Sequence, residues 1–165
     1  MDNALQFGFL TMDILKETPS KMTFNSSGSP VEPELRPIWR ISLLAIILNK
    51  LCRGSSASLK KIQVIYSLIA SNDKRTRYLS EGANADINIR FDPLLDKAIS
   101  LGLAEGLFSL DSAKSVVLTQ KGLLLSNMIY KDATLFVYEK EFIEHYNKSE
   151  FSDKNIDQIL YKGII

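Results

Sequence analysis

Cysteine, histidine and tryptophan each occur once in these 165 residues, as Cys52, His145 and Trp39. A single cysteine forms no disulfide within the chain, which suits a reducing compartment. One thiol and one imidazole, far apart in sequence, do not make a Cys/His zinc site. Long hydrophobic runs are also missing. The longest, "ISLLAIIL", has eight residues with Ser42 inside it, whereas a membrane span needs about 20. The stretch "MDNALQFGFLTMDILKE" carries acids and no basic leader region, so no secretory signal is expected there. The expectation is a soluble, cytoplasmic protein with no membrane partner. Its net charge of +1 supplies no global field for nucleic acid.

Catalytic groups are equally scarce. His145 sits near the end of an amphipathic segment, where it favours the helix dipole. Cys52 follows an apolar run and reads as a small core residue. "SAKS" and "TQKG" lack the glycine spacing of a phosphate-binding loop. Asp92 and Asp96 share a helix face, but Asp92 already has a capping task, and Trp39 reads as a core or interface anchor. No catalytic, cofactor-binding or metal-binding residue is assigned, and the chain is not expected to be an enzyme.

What is present is helical periodicity. Residues 3–16 place Leu5, Phe9 and Met12 on one stripe. Pro19, Pro30, Pro33 and Pro37 then mark a connector, because proline cannot donate and restricts its predecessor. "RPIWRISLLAIILNKLCRG" is apolar on nearly every face and reads as a central helix. Pro37 suits its first turn and Gly54 the residue beyond its end. "SSASLKKIQVIYSLIAS" follows as a helix capped by Ser58, with Leu59, Ile62, Ile65 or Tyr66, and Ile69 inward. A short Gly-Ser turn would make the two an antiparallel hairpin.

"NDKRTRYLSEGANADINIRF" reads as a basic stretch and loop, with a brief strand placing Ile87, Ile89 and Phe91 inward. "DPLLDKAISLGL" is a helix with Asp92 as N-cap, Pro93 at its first position and Gly102 just past its end. Two strands around Asp111 and Ser112 follow, then a helix capped by Thr119. "ATLFVYEKEFIEHYNK" is the last expected helix, with a short tail from Ser149. The fold class expected is mainly α with a small β-hairpin. A winged-helix-like core at 37–131 lies between an N-terminal helix and connector (1–36) and a C-terminal helix and tail (132–165).

In many winged helices the helix before the wing enters the major groove of DNA. Here that segment carries Asp92, Asp96 and Lys97 and has no Arg, Asn or Gln to read base edges. The positive charge lies elsewhere. From Arg36 to Arg77 there are nine cations and one anion, a net +8, which leaves the rest at −7. The hairpin would gather Lys50, Arg53, Lys60 and Lys61 at one end and Arg36, Arg40, Lys74, Arg75 and Arg77 at the other. Two readings are open. These charges solvate helix ends and pair with Glu139, Glu141 and Glu144, or one pole contacts phosphates or an acidic partner. Clustered arginine favours the pole of Arg75 and Arg77 for the second role. Phe7, Phe9, Phe136 and Tyr138, large apolar groups near the chain ends, are candidate partner contacts.

"ELRPIWRISLLAIILNKL", the helix ending in "SNDKRTRYL", and "LGL" followed by "LTQKG" together resemble the middle component of bacterial ABC three-component systems. Relatives include the small subunit of Lamassu-type SMC defence complexes. The similarity covers about residues 30–130, and the basic "DKRTRYL" is similar to a recurrent Lys/His-x-x-Arg stretch in several of these proteins. The resemblance implies a non-catalytic adaptor in antiviral defence. Such a subunit sits between an SMC/Rad50-like ATPase and an effector, often a nuclease, and meets DNA through the complex. The rival reading is a stand-alone winged-helix transcriptional regulator, dimerising through its terminal helices.

Overall fold

The computed structural model describes residue 32 and residues 35–162. The helix expected at 3–16, with Phe7 and Phe9, lies outside the described residues. Element order is α1 (Pro37–Leu51), β1 (Ser56–Ala57), α2 (Leu59–Ala70), α3 (Asn72–Glu81), α4 (Pro93–Ala104), β2 (Phe108–Leu110), β3 (Val116–Leu118), α5 (Gln120–Lys131), α6 (Val137–Glu144) and α7 (Asp153–Lys162). The class is therefore mainly α with a small antiparallel sheet.

α1 organises the rest. Pro37 occupies its first turn, where a missing N–H costs nothing. Leu43, Leu44, Ala45, Ile46, Ile47 and Leu48 are completely buried. Its closest packing is against α5 and α4, with α2, β3 and α6 also in contact. α1 and α2 do contact each other, but α1 packs more extensively on α5 and α4 than on α2. The described residues belong to one compact unit, Val31–Ile165.

The sheet has the order β1-β3-β2, with all pairs antiparallel. Ser56 faces Val117 across β1–β3, and Ser109 faces the same residue across β2–β3. A first short strand after α1, then helices, then a hairpin whose second strand lies centrally, is the winged-helix arrangement. Here α3 is an additional helix inside it. β1, only two residues long, was not expected. The wing turn is built by Asp111, whose carboxylate accepts from the amides of Ala113 (2.9 Å) and Ser115 (2.8 Å). That local bonding accompanies the left-handed backbone of Lys114, at φ 60°.

Several expected caps are in place. Ser58 accepts from the Lys61 amide, Asp92 from Leu94, and Thr119 from Gly122. Other expectations need correction. "INIRF" forms no strand, and Phe91 faces solvent while Ile87 is buried. The stretch 72–81 is a helix, capped by Ser71, with Tyr78 and Arg75 as its buried residues. Leu59 is exposed at the start of α2. The last expected helix is shorter, beginning at Val137 after a turn in which Asp132 accepts from the Thr134 amide and hydroxyl. The expected tail contains α7, which buries Ile156 and Ile159. Phe151 joins Tyr78, Phe142 and Tyr146 in an aromatic cluster with centroid separations of 4.9–6.1 Å. That cluster fastens α3, α6 and the approach to α7 together.

Gly102 does not end α4. It lies inside the helix, buried, and a Cβ there would stand 2.3 Å from the Phe108 ring. The left-handed terminator is Gly106 at φ 68°. The Leu107 amide bonds back to the Gly102 carbonyl and the Gly106 amide to that of Leu103, a Schellman closure. Gly122 is a second close approach, with the Leu107 carbonyl oxygen 2.2 Å from where a Cβ would lie.

Alanine at either position gains helix propensity, so any loss of stability reports crowding. Gly102→Ala is expected to cost about 1–3 kcal/mol, since a buried ring must move. Gly122→Ala is expected to cost more, because the obstacle is backbone and that carbonyl also accepts from Thr119. Urea midpoints at unchanged slope measure both. A neutral or stabilising result would contradict this packing.

Candidate functional site: the helix before the wing and the basic residues

The five residues Arg36, Arg40, Lys74, Arg75 and Arg77 do not act as one outward pole. Arg40 is buried, ion-paired with Asp92, and donates to the Tyr66 hydroxyl at 3.2 Å. Arg75 is also buried. Its guanidinium donates to the Ile69 carbonyl and reaches Glu139 of α6 at 3.2 Å. Lys74 donates to Ser67 Oγ at 2.6 Å, and burial, with Arg90 nearby, lowers its pKa. Arg77 is exposed and donates to the Asp86 carbonyl at 2.8 Å. Arg36 is exposed at the start of α1. The pairing of Arg75 with Glu139 matches the reading in which these cations meet the acidic C-terminal helix. Both arginines cost desolvation, and each is matched to a carboxylate, as burial of a guanidinium requires.

The same pairing consumes the polar end of α4. Asp92 caps the helix and holds Arg40. Gln63 of α2 donates to Asp96 at 2.9 Å, while its carbonyl oxygen accepts the Asp92 amide at 3.0 Å. Gln63 is buried and Asp92 partly so, while Asp96 remains exposed. α4 also leaves Leu94 and Leu101 outside, 42% and 46% exposed, with Asp96, Lys97 and Ser100 between them. Leu94 and Leu101 are two turns apart and share a face. Phe91 before the helix and Leu110 on the wing are also exposed, at 55% and 54%. Lys121, the basic residue after the wing, donates to the Glu105 carbonyl at the end of α4 (2.7 Å). Lys114 at the wing tip is exposed.

These exposed leucines were missed in the sequence. The signal was there: Leu94 and Leu101 are seven residues apart in a helix whose buried residues are Leu95, Ala98, Ile99 and Gly102. Leu94, Leu95, Ile99, Leu101 and Leu103 spread over more than half of the helix circumference, which hides the face that is inward.

Of the chain-end aromatics described, Phe136 packs on Trp39 with centroids 5.2 Å apart, held at φ 52°. Tyr138 is 69% exposed, beside exposed Leu135 and Val137. His145 Nδ1 lies 2.7 Å from the Glu141 carbonyl oxygen one turn earlier. Cys52 is fully buried, and burial pushes its thiol up to about 11, so it is a poor nucleophile at neutral pH. Among the described residues no group of three His, Cys, Asp or Glu side chains is placed to hold a metal. No described helix is long and apolar enough to cross a membrane. No protein-family model, curated protein or solved structure matches this chain.

Because Arg75 is buried against Glu139, Arg75→Glu is expected to destabilise the fold by about 3–5 kcal/mol. Arg77→Glu, at the surface, is expected to stay within about 0.5 kcal/mol. Chemical denaturation of the two single variants measures this. Equal, small effects would mean that the Arg75 pair is not a structural contact.

Proposed function

We propose that this chain is a non-catalytic winged-helix adaptor of an SMC/Rad50-like ATPase complex. It links the ATPase to an effector such as a nuclease in prokaryotic anti-phage or anti-plasmid defence, and works in the cytoplasm. The observation that supports the reading most is the outward face of α4 and the wing. Where a DNA reader of this fold presents arginine and amide side chains, this one exposes Leu94, Leu101 and Leu110 beside Asp96, Lys97 and Ser100. Exposed leucines on a helix and on a hairpin packed against it suit a protein surface. Leu135, Val137 and Tyr138 offer a separate apolar patch for a further partner. The family resemblance of residues 30–130 supplies the identity of the partners.

The adaptor reading makes Leu94 and Leu101 contact residues for an SMC/Rad50-like ATPase partner. Leu94→Glu with Leu101→Glu is expected to weaken that association about a hundredfold or more, as loss of two central apolar contacts does. Lys114→Glu with Lys121→Glu is expected to change it little. Both double variants alter exposed side chains, and thermal melts check that each still folds. The regulator reading reverses the ranking: the lysine pair abolishes binding to a defined DNA site and the leucine pair spares the ATPase association.

A further inference from the structure

A cleft of roughly 400 Å³ opens between the end of α1, the start of α2, the wing and the approach to α7. Three cations from three different parts of the chain line it. Arg53 comes from the turn after α1, Lys61 from the first turn of α2, and Lys148 from the segment between α6 and α7. The carboxylate facing them is Asp153, so the lining carries a net +2.

These cations are poorly served from within the chain. Arg53 and Lys148 are exposed and make no ion pair or side-chain hydrogen bond among the described residues. The Lys61 side chain is only 11% exposed, yet its contact with a carboxylate is a loose 3.7 Å to Asp153, whose own side chain is 85% exposed. An ammonium that far from water ordinarily has closer partners. Lys61 reaches this one cleft from α2 and Lys148 from the segment before α7. Hydroxyl donors complete the lining. Ser56 and Ser115 are unengaged through their side chains among the described residues, and Ser152 faces them from the α7 side.

We infer that this cleft binds a small phosphate-bearing ligand through its phosphate groups. Cations and hydroxyls around one concavity suit a compact polyanion, which accepts from several donors at once. Among the described residues no aromatic side chain lines the cleft for a base to stack on, so recognition rests on the phosphates and not on a nucleobase. The cations gather at one point and do not run along a stripe, which distinguishes the cleft from a track for a nucleic-acid backbone. The site is on separate residues from the leucine face of α4 and stands or falls independently of the adaptor reading.

The test is calorimetric titration of the full chain with inorganic pyrophosphate, with adenosine diphosphate and with a short DNA duplex. Both small probes are expected to bind saturably. Arg53→Gln with Lys148→Gln removes cations that hold nothing inside the fold, and is expected to weaken both by about tenfold or more per lost contact. Asp153→Asn removes the opposing carboxylate and is expected to tighten them, an outcome that misfolding cannot produce. Lys97→Gln with Lys131→Gln makes the same charge change elsewhere and is expected to leave them unaltered. Absence of saturable binding of both small probes overturns the inference, as does equal weakening in the two double variants. It is equally overturned if duplex binding alone depends on Arg53 and Lys148.

Discussion

α1 has no polar face over its middle two turns, and a helix of that kind must be enclosed on every side. Leu43 to Leu48 lose all contact with solvent, and each large side chain among them contributes about 1.5–3 kcal/mol by doing so. α5, α4 and α2 supply three walls, and β3 and α6 close the remainder. The winged-helix order accomplishes this because the chain returns to α1 after each excursion. The glycines then set how closely the walls approach: Gly102 admits the Phe108 ring and Gly122 admits the Leu107 carbonyl.

Enclosure has a cost at Arg40, which lies on α1 and is buried with it. Its charge is met by Asp92, so the residue that starts α4 is also the counter-ion of the central helix. Gln63 joins that contact to α2. A second buried pair, Arg75 with Glu139, fastens α3 to α6. The surplus of positive charge between Arg36 and Arg77 is therefore partly a structural resource. It anchors carboxylates contributed by later segments, Asp92 and Glu139 among them.

What was legible in the sequence had strong local causes. Continuous apolar residues announced α1, capping side chains announced α2, α4 and α5, and Asp111 announced the wing turn. What was illegible depended on distant contacts. α3 is almost wholly polar and is held by Tyr78 against aromatics from beyond residue 140. α7 has few apolar residues, and Ile156 and Ile159 are core in a helix that packs against the distant α2. Ile87 and Ile89 alternate like a strand, but they pair with no strand among the described residues. The basic residues were misgrouped for a similar reason. Summed charge does not reveal that Arg40 and Arg75 find partners 52 and 64 positions away.

The account of function turns on whether the usual DNA-reading face of this fold reads DNA here. Leu94, Leu101 and Leu110 neutralise no phosphate and make no hydrogen bond to a base edge, and the proposed reading assigns them to a protein surface. The most direct measurement is the affinity of the isolated protein for random and native upstream duplexes across a range of salt. The account predicts equal affinities for both, no tighter than about 10⁻⁶ M at physiological salt and weakening steeply as salt rises. A dissociation constant near 10⁻⁸ M or below for one sequence, retained in the presence of excess competitor, would contradict it.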